Sequence, residues 1–350
     1  MNEPEMPVAP PAAPPSYLRP PAVPSSSEMH SSLALLGGVV ALIAIGVLTY
    51  LYVPFKSSSV LPSDTLAFFV REPTPGLYTY SFATQEVAPV DVAGAVEGLS
   101  AQWASFSPHA DFYVQHSIKK EGNTPLLTVG NLRTGKKYYL GSADSGARFD
   151  WPIVSNDGKY VAYNFFYSMP TAKTKADLAK GKGELVPIST LAYASLEDGV
   201  FTAYPLAAAG TPLLFSPDQT KLLVRQFGEF SLVSLADSTS AVVSGTPIMS
   251  NAATVSVALS KDTRAFAVAV HDTIYWGRFD WGTGTFLQEG MLEEHADALS
   301  FGSGGELLYL REGKFYSYRI SDGKKQDIIV PTSFSSFKNI PFVVLTPIDP

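Results

Sequence analysis

The side chains able to do chemistry are few in this chain, and their spacing says more than their number. The five histidines are His30, His109, His116, His271 and His295. None is in H-x-x-x-H or H-E-x-x-H spacing, so a histidine-bound zinc would need ligands brought together from distant segments. The chain has no cysteine, which removes disulfides, thiolate metal sites and cysteine nucleophiles. His109 falls in a turn and His271 precedes Asp272 at a hairpin. All five histidines are expected in turn or surface positions. Asp111, Asp157, Asp218 and Asp262 recur at similar places and are of the right type for calcium or acid–base work. Glycoside chemistry, however, needs two carboxylates within roughly 5–10 Å. Each aspartate is more simply the residue that closes its own turn, kept apart from the others by regular spacing. Glu293-Glu294-His295-Ala296-Asp297 is expected to be a solvated connection, with a cation or a basic partner surface as the sharper alternative. No residue set is assigned to catalysis, to a cofactor or to a metal.

One basic feature stands out. The insertion from Met169 to Val186 carries Lys173, Lys175, Lys180 and Lys182 in an otherwise acidic domain. Long loops on rigid scaffolds often hold binding function, so these four lysines are the candidate partner-binding loop, suited to an acidic partner, a cell-wall polymer or lipid headgroups. An idle insertion is the alternative, because lengthening a loop costs little closure entropy.

The segments that hold these residues divide the chain unevenly. Only 16% of its 350 residues are charged and the net charge is −7. The acidic balance argues against a nucleic-acid partner, which would require clustered Lys and Arg. Residues 1–32 form a proline-rich tail, with nine of the 27 prolines in the first thirty positions. Proline fixes φ and lacks a donor, so this tail is expected to be a disordered, extended spacer. Pro14-Pro15-Ser16-Tyr17 also fits a PPxY ligand pattern. From Leu33 to Val53 the only conventional polar side chains are Thr49, Tyr50 and Tyr52. A helix of that length spans roughly 31 Å at about 1.5 Å per residue, enough for a bilayer core. Tyr50 and Tyr52 suit the interface at its end, and Pro54 stops it. The expectation is a membrane anchor over residues 33–54, a linker over 55–63 and a domain over 64–350. The tail is placed in the cytoplasm and the domain outside, on the usual arrangement behind an uncleaved anchor.

Beyond the linker, short β-branched and aromatic runs alternate with turn signals. A self-similar stretch begins at Phe106, Val154, Phe215, Leu259 and Phe301, at intervals of 48, 61, 44 and 42 residues. Its pattern is an apolar residue, Ser, a polar turn and a second apolar run, as in Phe215-Ser216-Pro217-Asp218-Gln219-Thr220-Lys221-Leu222-Leu223-Val224. The fifth copy is degenerate and rich in glycine. Each copy continues to a tight turn at Thr134-Gly135, Asp198-Gly199, Asp237-Ser238, Gly282-Thr283-Gly284 or Asp322-Gly323. Leu66–Val70 and Leu77–Phe82 match the later part of the unit without its leading strand. Four strands per repeat of roughly 40–50 residues predict a β-propeller of six blades, with seven possible. Ile340–Leu345 is the candidate that supplies the missing strand and closes the ring.

The motif F-S-P-D-G-K-x-L-A-F, at residues 106–114, 154–163 and 215–224, resembles the TolB-like repeats of WD-repeat-like propellers, over about residues 64–345. That resemblance implies mostly non-catalytic binding platforms, some of which form the propeller half of prolyl-oligopeptidase-type peptidases. Here no G-x-S-x-G elbow is present. Ser142-Ala143-Asp144-Ser145-Gly146 with Phe149 partly resembles the Asp-box of sialidase-like propellers, but occurs once, and a polar turn is the simpler account. The expected function is a single-pass, membrane-anchored, non-catalytic interaction or scaffold module of the cell envelope, with a protein partner there and no cofactor. The alternatives are a hydrolase or lyase acting on glycan or peptide, or a small-ligand sensor, each using the central channel.

Overall fold

A computed structural model of the protein describes residues 65–70, 76–81, 84, 86–89, 99–109, 111–119, 122–141, 147–170, 185–247, 255–302, 304–328 and 342–345. The proline-rich tail, the anchor with Leu33, Tyr50, Tyr52 and Val53, the linker, and Lys173, Lys175, Lys180 and Lys182 lie outside them. So does the region near Phe334 where a seventh blade was possible. Among the described residues no helix is long and apolar enough to cross a membrane.

The described chain is all β, in six four-stranded antiparallel sheets. Blade 1 orders β24 (Phe342–Leu345), β1 (Thr65–Val70), β2 (Gly76–Ser81) and β3 (Val87–Pro89). Blade 2 runs β4 (Leu99–Phe106), β5 (Phe112–Lys119), β6 (Thr124–Asn131) and β7 (Lys137–Gly141). Blade 3 has β8 (Arg148–Val154), β9 (Tyr160–Pro170), β10 (Leu185–Glu197) and β11 (Val200–Pro205). Blade 4 has β12 (Thr211–Phe215), β13 (Lys221–Gln226), β14 (Glu229–Ser234) and β15 (Ser240–Val242). Blade 5 has β16 (Val255–Leu259), β17 (Phe266–Val270), β18 (Thr273–Asp280) and β19 (Thr285–Leu292). Blade 6 has β20 (Ala298–Phe301), β21 (Leu307–Arg311), β22 (Lys314–Arg319) and β23 (Lys324–Ile328).

The ring closes as the sequence predicts. β24 pairs with β1 in the register Thr65↔Leu345 to Phe68↔Phe342, so blade 1 combines both ends of the repeat region. β1, with β2 on its other side, is buried along its whole length. Blades cohere through their faces. Phe149, Phe165 and Tyr163 fill the wall between blades 2 and 3, and Phe230, Phe266 and Phe286 that between blades 4 and 5. Each such aromatic removes a large apolar area from water, and no single blade can do so alone.

The repeated motif is a turn that satisfies its own polar groups. In blade 4, Ser216 Oγ donates to Asp218 Oδ1 at 2.5 Å and accepts from the Lys221 amide at 2.9 Å. The pairs Ser155–Asp157 (2.8 Å) and Ser260–Asp262 (2.6 Å) repeat the arrangement in blades 3 and 5. The third residue after each serine takes positive φ: Gly158 at 72°, Gln219 at 61° and Thr263 at 61°. Only glycine reaches that region without steric cost, so blades 4 and 5 hold the turn against local strain. The expected tight turns between third and fourth strands are also present, with positive φ at Gly135, Gly199, Ser238, Gly284 and Gly323.

The Met169–Val186 insertion is shorter than its sequence suggests. Met169 and Pro170 continue β9, and Leu185 and Val186 continue β10, paired as Pro170↔Leu185 and Met169↔Val186. These two strands, of 11 and 13 residues, exceed every other strand, none of which passes 8.

Candidate functional site: the axial channel and its two rims

The inner strands β4, β8, β12, β16 and β20 line an axial cavity of about 140 Å³. The residue two places before each turn serine, or before Gly302 in blade 6, faces it: Ser105, Ile153, Leu214, Ala258 and Ser300. One place later Val154, Phe215 and Phe301 are buried in the core between blades, whereas Phe106 and Leu259 also line the cavity. The cavity is lined by serine and aliphatic side chains together with Phe106. Ser105 Oγ is already committed to the Pro152 carbonyl at 2.8 Å, a bond that ties blade 2 to blade 3.

At the end bearing the Ser-x-Asp turns, His109 occupies the place where blades 3, 4 and 5 have aspartate. Its amide is held by Asn156 Oδ1 of blade 3 at 3.3 Å. Its ring lies near Lys261 of blade 5, and Nε2 has no hydrogen-bond partner among the described residues. Burial lowers its pKa, with the Lys261 charge acting in the same sense and Asp111 and the Lys261 backbone against it. One expectation is corrected here: Asp111 does not close its turn by the Ser–Asp bond, since it lies four residues after Ser107 and its carboxylate pairs with Arg133.

His116 also departs from expectation. It is buried in β5, with its ring edge-on to Phe149 at 6.1 Å between centroids. Burial, and then Arg148, push its pKa down to about 4, so the ring is neutral. Nε2 has no hydrogen-bond partner among the described residues.

The opposite rim holds the second-to-third-strand hairpins and the connections from each fourth strand to the next blade. There the acidic cluster between blades 5 and 6 is an ion-pair network rather than a solvated connection. Glu294 pairs with Arg311 and, at 2.8 Å, with Lys325, which hold its carboxyl below the usual range despite its burial. His295 Nδ1 lies 3.1 Å from the His271 carbonyl and Nε2 3.1 Å from Asp297 Oδ1, with Asp272 at 3.5 Å. Only the imidazolium can donate to both sides at once. Asp297 also accepts the Glu312 amide at 3.0 Å. The basic partners that the acidic run called for thus come from the chain itself.

The inner strands differ in regularity. Register shifts interrupt β4 between Ala101 and Trp103, β8 between Asp150 and Ile153, and β12 between Pro212 and Leu214. β16 and β20 pair without interruption. Bulges re-aim side chains and often border functional sites. Sequence patterning carries no sign of them, since they are defined by the partner strand. Among the described residues no group of three or more His, Asp or Glu side chains is placed to hold a metal ion. Ser142–Gly146 of the Asp-box-like stretch lie outside the described residues, and Phe149 is core.

No protein-family model matches the chain, and no curated protein matches it. Solved structures do. TolB from Acinetobacter baumannii aligns with a TM-score of 0.52 at 12% identity, covering 81% of this chain and 67% of that one. An oligogalacturonate lyase in complex with manganese aligns at 0.48 and 12%, covering 81% and 84%. A puromycin-hydrolyzing peptidase of Mycobacterium tuberculosis aligns at 0.47 and 14%, covering 79% and 44%. At such identities the likeness is one of fold: the chain is a six-bladed β-propeller of TolB-like architecture.

Proposed function

We propose that the protein is a membrane-anchored propeller acting as a non-catalytic interaction or scaffold module at the cell envelope, with its ring on the extracytoplasmic side. The observation that carries this is the β9–β10 hairpin. Its strands outrun every other strand, and the segment between Pro170 and Leu185 holds Lys173, Lys175, Lys180 and Lys182. A rigid ring whose longest hairpin brackets four lysines of an otherwise acidic domain suits docking of an acidic protein surface. The serine, aliphatic and phenylalanine lining of the axial cavity supports a binding role over a catalytic one, since general acid–base work needs titratable groups at the reacting centre. The apolar run from Leu33 to Val53 supports the anchor.

The test is crosslinking in intact cells at native expression, with a photoreactive residue replacing Lys175 or, as a control, Lys324 on the far rim. A discrete protein adduct from position 175, absent from position 324 and lost when the four lysines become glutamates, is expected. No adduct from 175 in repeated trials, or the same adduct from both positions, overturns the proposal. Digestion of the ring by protease added to intact cells is expected, and full protection would reverse the orientation.

A further inference from the structure

Two of the four tryptophans occupy one rank of the repeat, on adjacent inner strands. Trp103 lies four residues before Ser107, and Trp151 four before Ser155. In blades 5 and 6 that rank is Ser256 and Ala298, both lining the axial cavity. Both tryptophans sit at register shifts, and the Ser105–Pro152 bond holds their strands together beside them. Trp103 is half-buried, while Trp151 is 46% exposed. Trp151 also has φ of 48°, a left-handed conformation that a bulky L-residue adopts only when its surroundings impose it. The fold thus accepts backbone strain to hold an indole out of the core.

The polar groups beside it are arranged as a pair. Arg148 Nε lies 3.0 Å from Asp150 Oδ2, and the guanidinium rests over the Phe166 ring at 4.6 Å. Arg148 is more than half exposed. Burial raises the pKa of Asp150, against the pull of Arg148. Along β8 the exposed or half-exposed positions are Arg148, Asp150, Trp151 and Ile153, whereas Phe149 and Pro152 are buried. An aromatic face, a carboxylate acceptor and a guanidinium donor are therefore all exposed or half-exposed within four residues of one strand.

We infer that the exposed stretch Arg148–Trp151 of β8, with Trp103 on the adjacent inner strand, is a carbohydrate-binding site that takes a pyranose ring of an oligosaccharide. A sugar ring offers an apolar C–H face for the indole, and its rim of neighbouring hydroxyls can donate to Asp150 while accepting from Arg148. A peptide strand added along the inner edge is disfavoured, because the bulges break the ladder it would extend. An acidic chain is poorly suited to a polyphosphate ligand.

The experiment uses the full chain in a zwitterionic detergent free of sugar headgroups. Cellotetraose, chitotetraose and tetragalacturonate are titrated by calorimetry and by tryptophan fluorescence. At least one is expected to bind saturably with 1:1 stoichiometry. Trp151→Gly should weaken that binding by about tenfold or more, with the melting midpoint unchanged or higher, since glycine accepts this φ without strain. Asp150→Asn should weaken it less, and Trp281→Phe should leave it unaltered. The inference is overturned if none of the three sugars binds, or if Trp151→Gly binds as well as the parent. It is also overturned if Trp151→Gly loses binding together with a lowered midpoint, which would assign the indole to packing. The titration needs no protein partner, so its failure leaves the crosslinking result standing, and the reverse.

Discussion

Two histidines on different sides of the ring show how far local surroundings can divide identical side chains. His116 stands in the wall between blades 2 and 3, in dry aromatic packing beside Arg148. His295 stands on the rim between blades 5 and 6, between a carbonyl and two carboxylates. Burial and Arg148 lower the pKa of the first. For the second, burial acts downward, but the His271 carbonyl, Asp297 and Asp272 outweigh it and the pKa is raised. The folded state therefore binds fewer protons than the unfolded chain at His116 and more at His295. Acidification destabilises one side of the ring through its histidine and stabilises the other.

The largest effect that bears on this contrast is on the dry wall itself. Phe149→Ala should cost about 3–5 kcal/mol by chemical denaturation, the range for emptying a core aromatic site. Phe266→Ala, at the equivalent depth between blades 4 and 5, should cost as much. Unequal losses would show that the walls are not equivalent in packing and that burial alone does not explain His116. Next comes pH. Between the ordinary value of 6.5 and about 4 the His116 contribution is lost as pH falls, on the order of 3 kcal/mol by the lower limit. His116→Leu should flatten that part of the stability–pH curve and leave neutral stability nearly unchanged. An unaltered slope would locate the acid sensitivity elsewhere.

On the rim, Glu294→Ala strands Arg311 and Lys325 without their shared carboxylate. The expected loss is about 1–2 kcal/mol, between that of an exposed pair and a buried one, and it should shrink in high salt. The smallest effect is that of His295→Asn. The His295 contribution is fully present below pH 6.5 and is lost as pH rises through its raised pKa. The variant should therefore melt lower than the parent in mild acid and match it in alkali. The opposite order would mean that Asp272 and Asp297 do not hold the imidazolium.

The architecture was legible because the repeat is written in residues with one structural use each. Serine before a polar turn caps the turn, and the later Gly or Asp–Ser pairs set the next one. Even the closing strand could be picked out near Ile340–Leu345, and it pairs as Phe342–Leu345 with β1. Features made by neighbouring strands were not legible. Asp111 follows Ser107 as the turn aspartates follow their serines, yet it is two positions too late, and its true counterpart is His109. A rank-by-rank alignment of the five copies contains that signal. The burial of His116 had no such signal, because it depends on Phe149 arriving from the next blade. Likewise Glu294 reads as a solvated charge until β21 and β23 bring Arg311 and Lys325 to it.

The position of β1 has a mechanical consequence. It lies inside blade 1, bonded to β24 on one flank and β2 on the other, so tension entering the ring through the residue before Thr65 loads two antiparallel ladders together. Peeling would break bonds one after another, whereas this attachment makes them share the load, and a pull from that direction grips the strand that seals the circle.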